Sequence, residues 1–324
     1  MDAFESRIDL SELYQTVADI RTEVGKIIVG QQSMIDLLLT ALFADGHVLI
    51  EGVPGVAKTL TAKILAKTIS VDFNRIQFTP DLMPSDVLGT SIFNPKTSDF
   101  EFKPGPIFSN IILIDEINRA PAKTQSALFE VMEERQVTNA GQTYHMTAPF
   151  LVLATQNPIE QEGTYRLPEA QLDRFLFKIV VQYPSLEQET DILRGHHQRR
   201  QLTETMDSIQ SILSREQLTA LREKVRQVLI EDKVLTYIAQ IVHETRNSKF
   251  LYLGASPRAS VALLQASKAL AALRGRDFVT PEDVQELAAP VLRHRLILTP
   301  EKEMEGTTPD AIIDQIIKKI EVPR

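Results

Sequence analysis

Apolar positions recur at helical spacing through residues 11–28, at Leu13, Val17, Ile20, Val24, Ile27 and Ile28. Ser11 is the expected N-cap, and Gly25 weakens the last turn. Residues 28–31 lead into a second helix over 32–44. The short apolar run His47–Glu51 then predicts a buried strand, 52–58 a glycine-rich turn, and Thr59–Ile69 a helix. A strand follows at Arg75–Thr79, and Pro80 and Pro84 bracket the start of a helix near Leu82–Leu88.

The pattern changes over 90–108, where Phe93, Phe100 and Phe102 flank the turn formers Asn94-Pro95 and Ser98-Asp99, which predicts an inserted β-hairpin. Asn110–Ile114 is continuously apolar, as parallel strands covered on both faces are. Pro121 opens a helix reaching Glu134 with Leu128, Val131 and Met132 on one face. A second hairpin is expected over 135–146, turning at Asn139-Ala140-Gly141, and further strands at Phe150–Ala154 and Phe175–Val181. Strands alternating with helices from 47 to 182 predict a parallel α/β sheet. From Tyr183-Pro184-Ser185 onward only helical spacing remains, over 185–199, 215–229, 231–247, 257–273, 281–292 and 309–320. Ser256-Pro257 and Thr280-Pro281 are N-cap and N1 pairs, the second with Asp283 at N3. The expected division is an α/β domain over 1–183 and an all-α domain over 184–324.

At 324 residues, with 43% hydrophobic and 24% charged positions, the chain can bury the cores of two domains. It has no cysteine, so disulfides, thiol nucleophiles and cysteine-bound metals are excluded. No secretory signal and no apolar run long enough to span a bilayer is present, and the chain reads as soluble and cytoplasmic. The formal charge is −8 without a Lys/Arg cluster, which argues against nucleic acid as partner.

Gly52–Thr59 (GVPGVAKT) carries the chemistry. It matches G-x-x-x-x-G-K-[ST] with Ala57 in place of the last glycine. A strand delivers the loop, glycines let backbone N–H groups approach phosphates, and a helix N-terminus faces the anion. Gly52, Pro54, Gly55, Val56, Ala57, Lys58, Thr59 and Leu60 would cradle a nucleotide, with Lys58 on the β/γ-phosphates and the Thr59 hydroxyl on Mg²⁺. Gly52 and Gly55 are the positions expected to need positive φ. The bland reading is an ordinary strand–turn–helix joint. Against it, Ile111–Ile114 end in Asp115-Glu116 at a strand's C-terminal edge, where open α/β sheets bind ligands. Asp115 would hold the metal and Glu116 would orient and polarise the attacking water. A further strand ends at Asn157, a candidate for holding that water or the γ-phosphate. Arg174 precedes the last strand and is either a solvated residue or an arginine finger given to a neighbouring subunit. Arg258, in the first turn of a capped helix, opposes the helix dipole unless an anion faces it.

In this order the elements resemble the AAA+ ATPases: Gly52–Thr59 looks like Walker A, Ile111–Glu116 like Walker B, Asn157 like sensor 1, Arg174 like the arginine finger and Arg258 like sensor 2. Val29-Gly30-Gln31 is similar to the segment beside the adenine. GVPGVAKT, IDEINRAPAKTQSALFEVMEE, ATQNPIEQEGTYRLPEAQLDRF and GASPRAS look specifically like MoxR, and the two hairpins resemble the inserts of the subclass holding MoxR proteins, magnesium-chelatase subunits and MCM helicases. Arg166 departs from the proline usual there. The resemblance implies an α/β P-loop core with a helical lid and Mg²⁺-dependent ATP hydrolysis. It also implies a ring homo-oligomer, hexameric as a rule, with nucleotide between subunits. In the insert-bearing subclass the lid is repositioned, which leaves Arg258 open to act on its own nucleotide or on a neighbour's. MoxR proteins are thought to act as chaperones that mature or activate a protein client, often one with a von Willebrand factor A domain. The rival expectations are a magnesium-chelatase-like metal-insertion subunit and, behind it, a DNA translocase.

Overall fold

A computed structural model describes residues 8–53, 55–158, 165, 167–198 and 202–323 of the chain. Pro54 and Arg166 lie outside the described residues. The chain opens with α1 (Ser11–Gly25) and α2 (Gln32–Phe43), which lead to β1 (His47–Gly52) and α3 (Lys58–Thr68). After β2 (Phe73–Gln77) and α4 (Pro84–Leu88), an antiparallel hairpin of β3 (Gly89–Asn94) and β4 (Asp99–Pro104) stands out of the alternation. Then come β5 (Ile111–Asp115), α5 (Ala122–Glu134) and a second hairpin, β6 (Gln136–Asn139) with β7 (Gln142–His145). The α/β part closes with β8 (Leu151–Gln156), α6 (Glu169–Leu172) and β9 (Phe175–Val181).

Five strands form one parallel sheet in the order β2-β5-β8-β1-β9. The inner strands β5 and β8 are buried along almost their whole length because both faces are covered, whereas the edge strand β2 carries Asn74, Arg75 and Gln77; successive side chains serve opposite faces. Val48, Ile50, Ile111, Leu113, Leu151 and Leu153 join one core with α1, α2 and α3. Leu49, Ile112, Ile114, Val152 and Ala154 join the other with α5. The parallel register brings the C-terminal ends of β1, β5 and β8 together, and that edge receives the loop at 52–58.

The rest is α7 (Leu186–Gln198), α8 (Leu202–Asp207), α9 (Arg215–Arg226), α10 (Asp232–Asn247), β10 (Leu251–Leu253), α11 (Pro257–Leu273), α12 (Pro281–Leu292), β11 (Ile297–Leu298), α13 (Pro300–Met304) and α14 (Pro309–Lys319). The expectation of helices alone after 184 is corrected by β10 and β11, an antiparallel pair too short for its alternation to register. The first core cluster continues from the sheet into α9–α12, so the helical part packs on the α/β part. Ser11 is not the cap of α1. It is the helix's first residue, after Leu10, and its N–H donates to Asp9 Oδ1, two residues earlier, at 2.9 Å. Among the described residues no helix is long and apolar enough to cross a membrane.

Candidate active site

The loop between β1 and α3 has Gly55 at φ +88° with nothing within 4 Å of where a Cβ would sit, so backbone faces open space there. Gly52 is not at positive φ. It is needed for room, since a Cβ would meet the Val181 carbonyl oxygen of β9 at 2.9 Å. Ala57, immediately before α3, is the strained position, at φ +60° and ψ +18°. That left-handed conformation costs an L-residue roughly 1–2 kcal/mol. No side chain caps α3 and its first turn holds no acid, so its free N–H groups and dipole face the loop. Val56 is buried and Leu60 is partly buried against the same core, anchoring both sides of the loop.

Lys58 Nζ lies 2.6 Å from the Gly52 carbonyl, folded back across the loop. Burial lowers its pKa from the ordinary lysine value, while Asp115, Glu116 and Glu51 pull the other way. Val29 and Gly30 come to the same region from the first inter-helix segment. Gly30 is at φ +70° under the Gln188 side chain, and Gln31 Nε2 donates to the Gln182 carbonyl at 3.1 Å. Gln182 directly follows Val181, which pairs with Gly52.

At the end of β5, Asp115 is buried and its carboxylate has two partners. Arg75 Nε donates to Oδ2 at 2.6 Å and the Thr155 hydroxyl donates to Oδ1 at 3.1 Å. The Glu116 N–H in turn donates to Thr155 Oγ1 at 3.0 Å, so one hydroxyl ties the ends of β5 and β8. Glu116 is in the left-handed region at φ +58°, which turns its side chain out of the strand line. Gln77 Nε2 donates to Glu116 Oε2 at 2.8 Å, and Arg119 Nε lies 3.0 Å from the same oxygen. Asn157 is buried just past β8. The loop, Lys58, Thr59, Asp115, Glu116 and Asn157 therefore meet at one sheet edge. The donor set fits a triphosphate with magnesium: an uncapped helix start, an amine, a hydroxyl and a carboxylate, the sparse protein ligation that Mg²⁺ accepts when phosphates complete its shell.

Arg174 and Arg258 are not there. Arg174 precedes Phe175, which pairs with His47 at the start of β1, whereas Gly52 at the loop pairs with Val181. A strand of that length puts about 20 Å between the two ends. The two arginines instead share one carboxylate. Arg174 Nη2 is 2.6 Å from Glu133 Oε2 and Arg258 Nη2 is 2.7 Å from Glu133 Oε1. The anion that Arg258 faces at its helix start is thus Glu133. A partly buried mount carries both arginines. Asp173 accepts from Arg295 Nε at 2.7 Å and from the Ser256 hydroxyl at 2.8 Å, and Ser256 is the cap of α11. Arg295 also donates to the Phe175 carbonyl at 2.7 Å and to the Val291 carbonyl.

Sequence reasoning passed over Arg75, Gln77, Thr155, Glu133, Asp173 and Arg295. The only signal was on β2, where Arg75 and Gln77 are two apart and so share a face. Their partners become visible only through the register that sets Gln77 beside Asp115.

Residues 47–177 match the ATPase family associated with various cellular activities (AAA), and 243–316 match the AAA lid domain. The chain is 45% identical over 311 residues to Chaperone MoxR1 of Mycobacterium tuberculosis, covering 93% of this chain and 81% of that one. The chain belongs to the MoxR family of AAA+ ATPases. It is also 47% identical over 312 residues to YeaC of Bacillus subtilis, covering 96% of each. A crystal structure of a protein from Cytophaga hutchinsonii superposes with a TM-score of 0.89 at 45% identity, covering 97% of both chains. The MoxR fold is thereby that of an AAA+ core with a helical lid.

Proposed function

We propose that this MoxR-family chain hydrolyses ATP with Mg²⁺ at sites shared between identical subunits of a ring, and uses the cycle to remodel or activate a protein client, including clients with a von Willebrand factor A domain. The observation that carries the reading is the split of the chemistry. Lys58, Asp115 and Glu116 gather at one sheet edge, while Arg174 and Arg258 converge about 20 Å away at the other. A subunit so built gives its arginines to a neighbour and receives another's.

In this reading the loop N–H groups and Lys58 hold the β- and γ-phosphates, and Thr59 with Asp115 holds the metal. Bound Mg²⁺ supplies charge neutralisation at the phosphate oxygens. Asp115 must loosen its tie to Arg75, whose half-exposed side chain also donates to Gln77 Oε1 at 3.3 Å. Glu116 orients water for in-line attack, and the Gln77 amide, 2.8 Å from its carboxylate, sets where that carboxylate points. Asn157 lies beside the same edge to hold the water or the γ-phosphate. The neighbour's Arg174 then meets charge spreading over the equatorial oxygens.

A protein client is favoured over nucleic acid by the hairpins. β6 and β7 contain no Lys or Arg, and on the other hairpin Lys96 and Lys103 are offset by Asp99 and Glu101. Ile92, Phe93 and Phe100 are exposed there, with the two rings edge-on at 5.4 Å, an apolar surface suited to polypeptide. The domain division at 183/184 is part of the same reading, with 184–324 acting as the lid. Glu116→Gln should retain ATP binding and lower turnover about 10²–10⁴-fold. An unchanged rate in a phosphate-release assay would remove Glu116 from its role.

A further inference from the structure

Glu133 lies in the last turn of α5, well past Asp115 and Glu116 in the chain, yet it holds both arginines of the shared site. One of them precedes β9 in the sheet and the other opens α11 in the helical part, so their meeting on one carboxylate joins the two parts of the chain. The bonds that fix the frame are elsewhere, in the set of buried Arg295 with partly buried Asp173 and Ser256. The Glu133 contact is of another kind. The Arg174, Arg258 and Glu133 side chains are 28%, 56% and 35% exposed, and they line an open cleft of about 540 Å³ together with Arg135, Val261 and Gln265. Arg174 also keeps a buried Nε with no acceptor among the described residues, so Glu133 leaves part of that guanidinium unsatisfied.

We propose that Glu133 is an internal stand-in for the neighbour's phosphates, a positioning residue that occupies Arg174 and Arg258 in a lone subunit and releases them to nucleotide in an assembled one. The proposal rests on the shared-site reading above. A triphosphate offers more charge and more acceptor oxygens than one carboxylate, so it outcompetes Glu133. Because Arg258 sits on α11, its transfer from Glu133 to phosphate also unties the start of that helix from α5. Nucleotide at the interface is thereby coupled to the position of the lid. Glu133 sets a threshold: it keeps lone subunits from capturing one another until the phosphate is present.

The test is ATPase rate per subunit as a function of protein concentration for the full-length wild type, Glu133→Gln and Arg174→Ala, with melting temperature measured alongside. Glu133→Gln removes the charge and keeps the shape. The protein concentration giving half-maximal rate should fall about two- to tenfold, the range expected from loss of two partly exposed ion pairs. Glu133→Asp, which cannot reach both arginines, should move it the same way by less, and serves if the Gln variant does not fold. A concentration unchanged or raised in these variants overturns the proposal. A raised value with a lowered melting temperature would make Glu133 a structural tie. Arg174→Ala separates the two levels. If it abolishes turnover while Glu133→Gln changes nothing, only the stand-in role fails. If Arg174→Ala itself keeps wild-type turnover, the shared-site reading fails and takes this proposal with it.

Discussion

Ala57 shows how a single residue can match a motif's spacing and still carry its cost. The motif's glycine is replaced by a side chain held at φ +60°, which an L-residue adopts at roughly 1–2 kcal/mol. Glycine would relieve that strain but lose more freedom on folding, worth about 0.4–1 kcal/mol. Ala57→Gly should therefore leave ATP affinity unchanged and raise the melting temperature by about 1–3 °C. A lower melting temperature by calorimetry would mean that the methyl group packs usefully. The same scale shows what the sequence could convey. Lys58, Thr59, Asp115, Glu116 and Asn157 were readable because each sits at a fixed offset from a strand end. Gly52 was misjudged as a φ requirement because its real constraint is the Val181 carbonyl, far away in sequence.

Among elements, the strands and long helices were legible because their periodicity is a direct product of burial, and both hairpins announced themselves by turn chemistry. The β10–β11 pair was not, because strands of two or three residues have no period to read. Ties between elements were equally silent, and His47 is the clearest of them. From the start of β1 its Nδ1 accepts the Val152 N–H of β8 at 3.0 Å, and its Nε2 donates to the Met132 carbonyl of α5 at 3.1 Å, one residue from Glu133. Burial lowers its pKa to about 4, against the Met132 carbonyl, which favours the protonated ring; Arg135 lowers it further. The folded ring is thus neutral where an unfolded one, near 6.5, gains a proton. Stability from this group is full above pH 6.5 and is lost as pH falls toward 4, on the order of 3 kcal/mol. His294, also buried with its pKa lowered, acts in the same direction. Urea unfolding at pH 7 and pH 4.5 should show the drop, and His47→Gln should shrink it by the His47 share. An equal drop in the variant would assign the pH dependence to other groups.

For the molecule as a whole, the sheet sets the geometry. Parallel pairing of β1 with β9 puts the phosphate loop at one end and Arg174 at the other, and the capped start of α11 adds Arg258 beside it. On the proposed reading, neither arginine serves the loop of its own chain, which for Arg174 lies about 20 Å of strand away. The sequence order of the motifs named the parts but not this separation, which needs the register of β9 against β1. Nor could it show that Glu133 already holds both guanidinium groups, since that depends on how the helical part packs on α5. On the proposed reading, head-to-tail use of unlike surfaces gives a closed ring when the rotation closes.

If two chains complete one site, mixing two differently inactivated chains restores it. Glu116→Gln subunits keep the arginines but lack the water-orienting carboxylate, and Arg174→Ala subunits are the reverse. Each alone should be nearly inactive. Mixed in equal amounts with ATP and Mg²⁺, random heterologous pairing makes about one interface in four complete, so turnover should recover to about a quarter of wild type. A mixture no more active than its separate components would contradict the shared site.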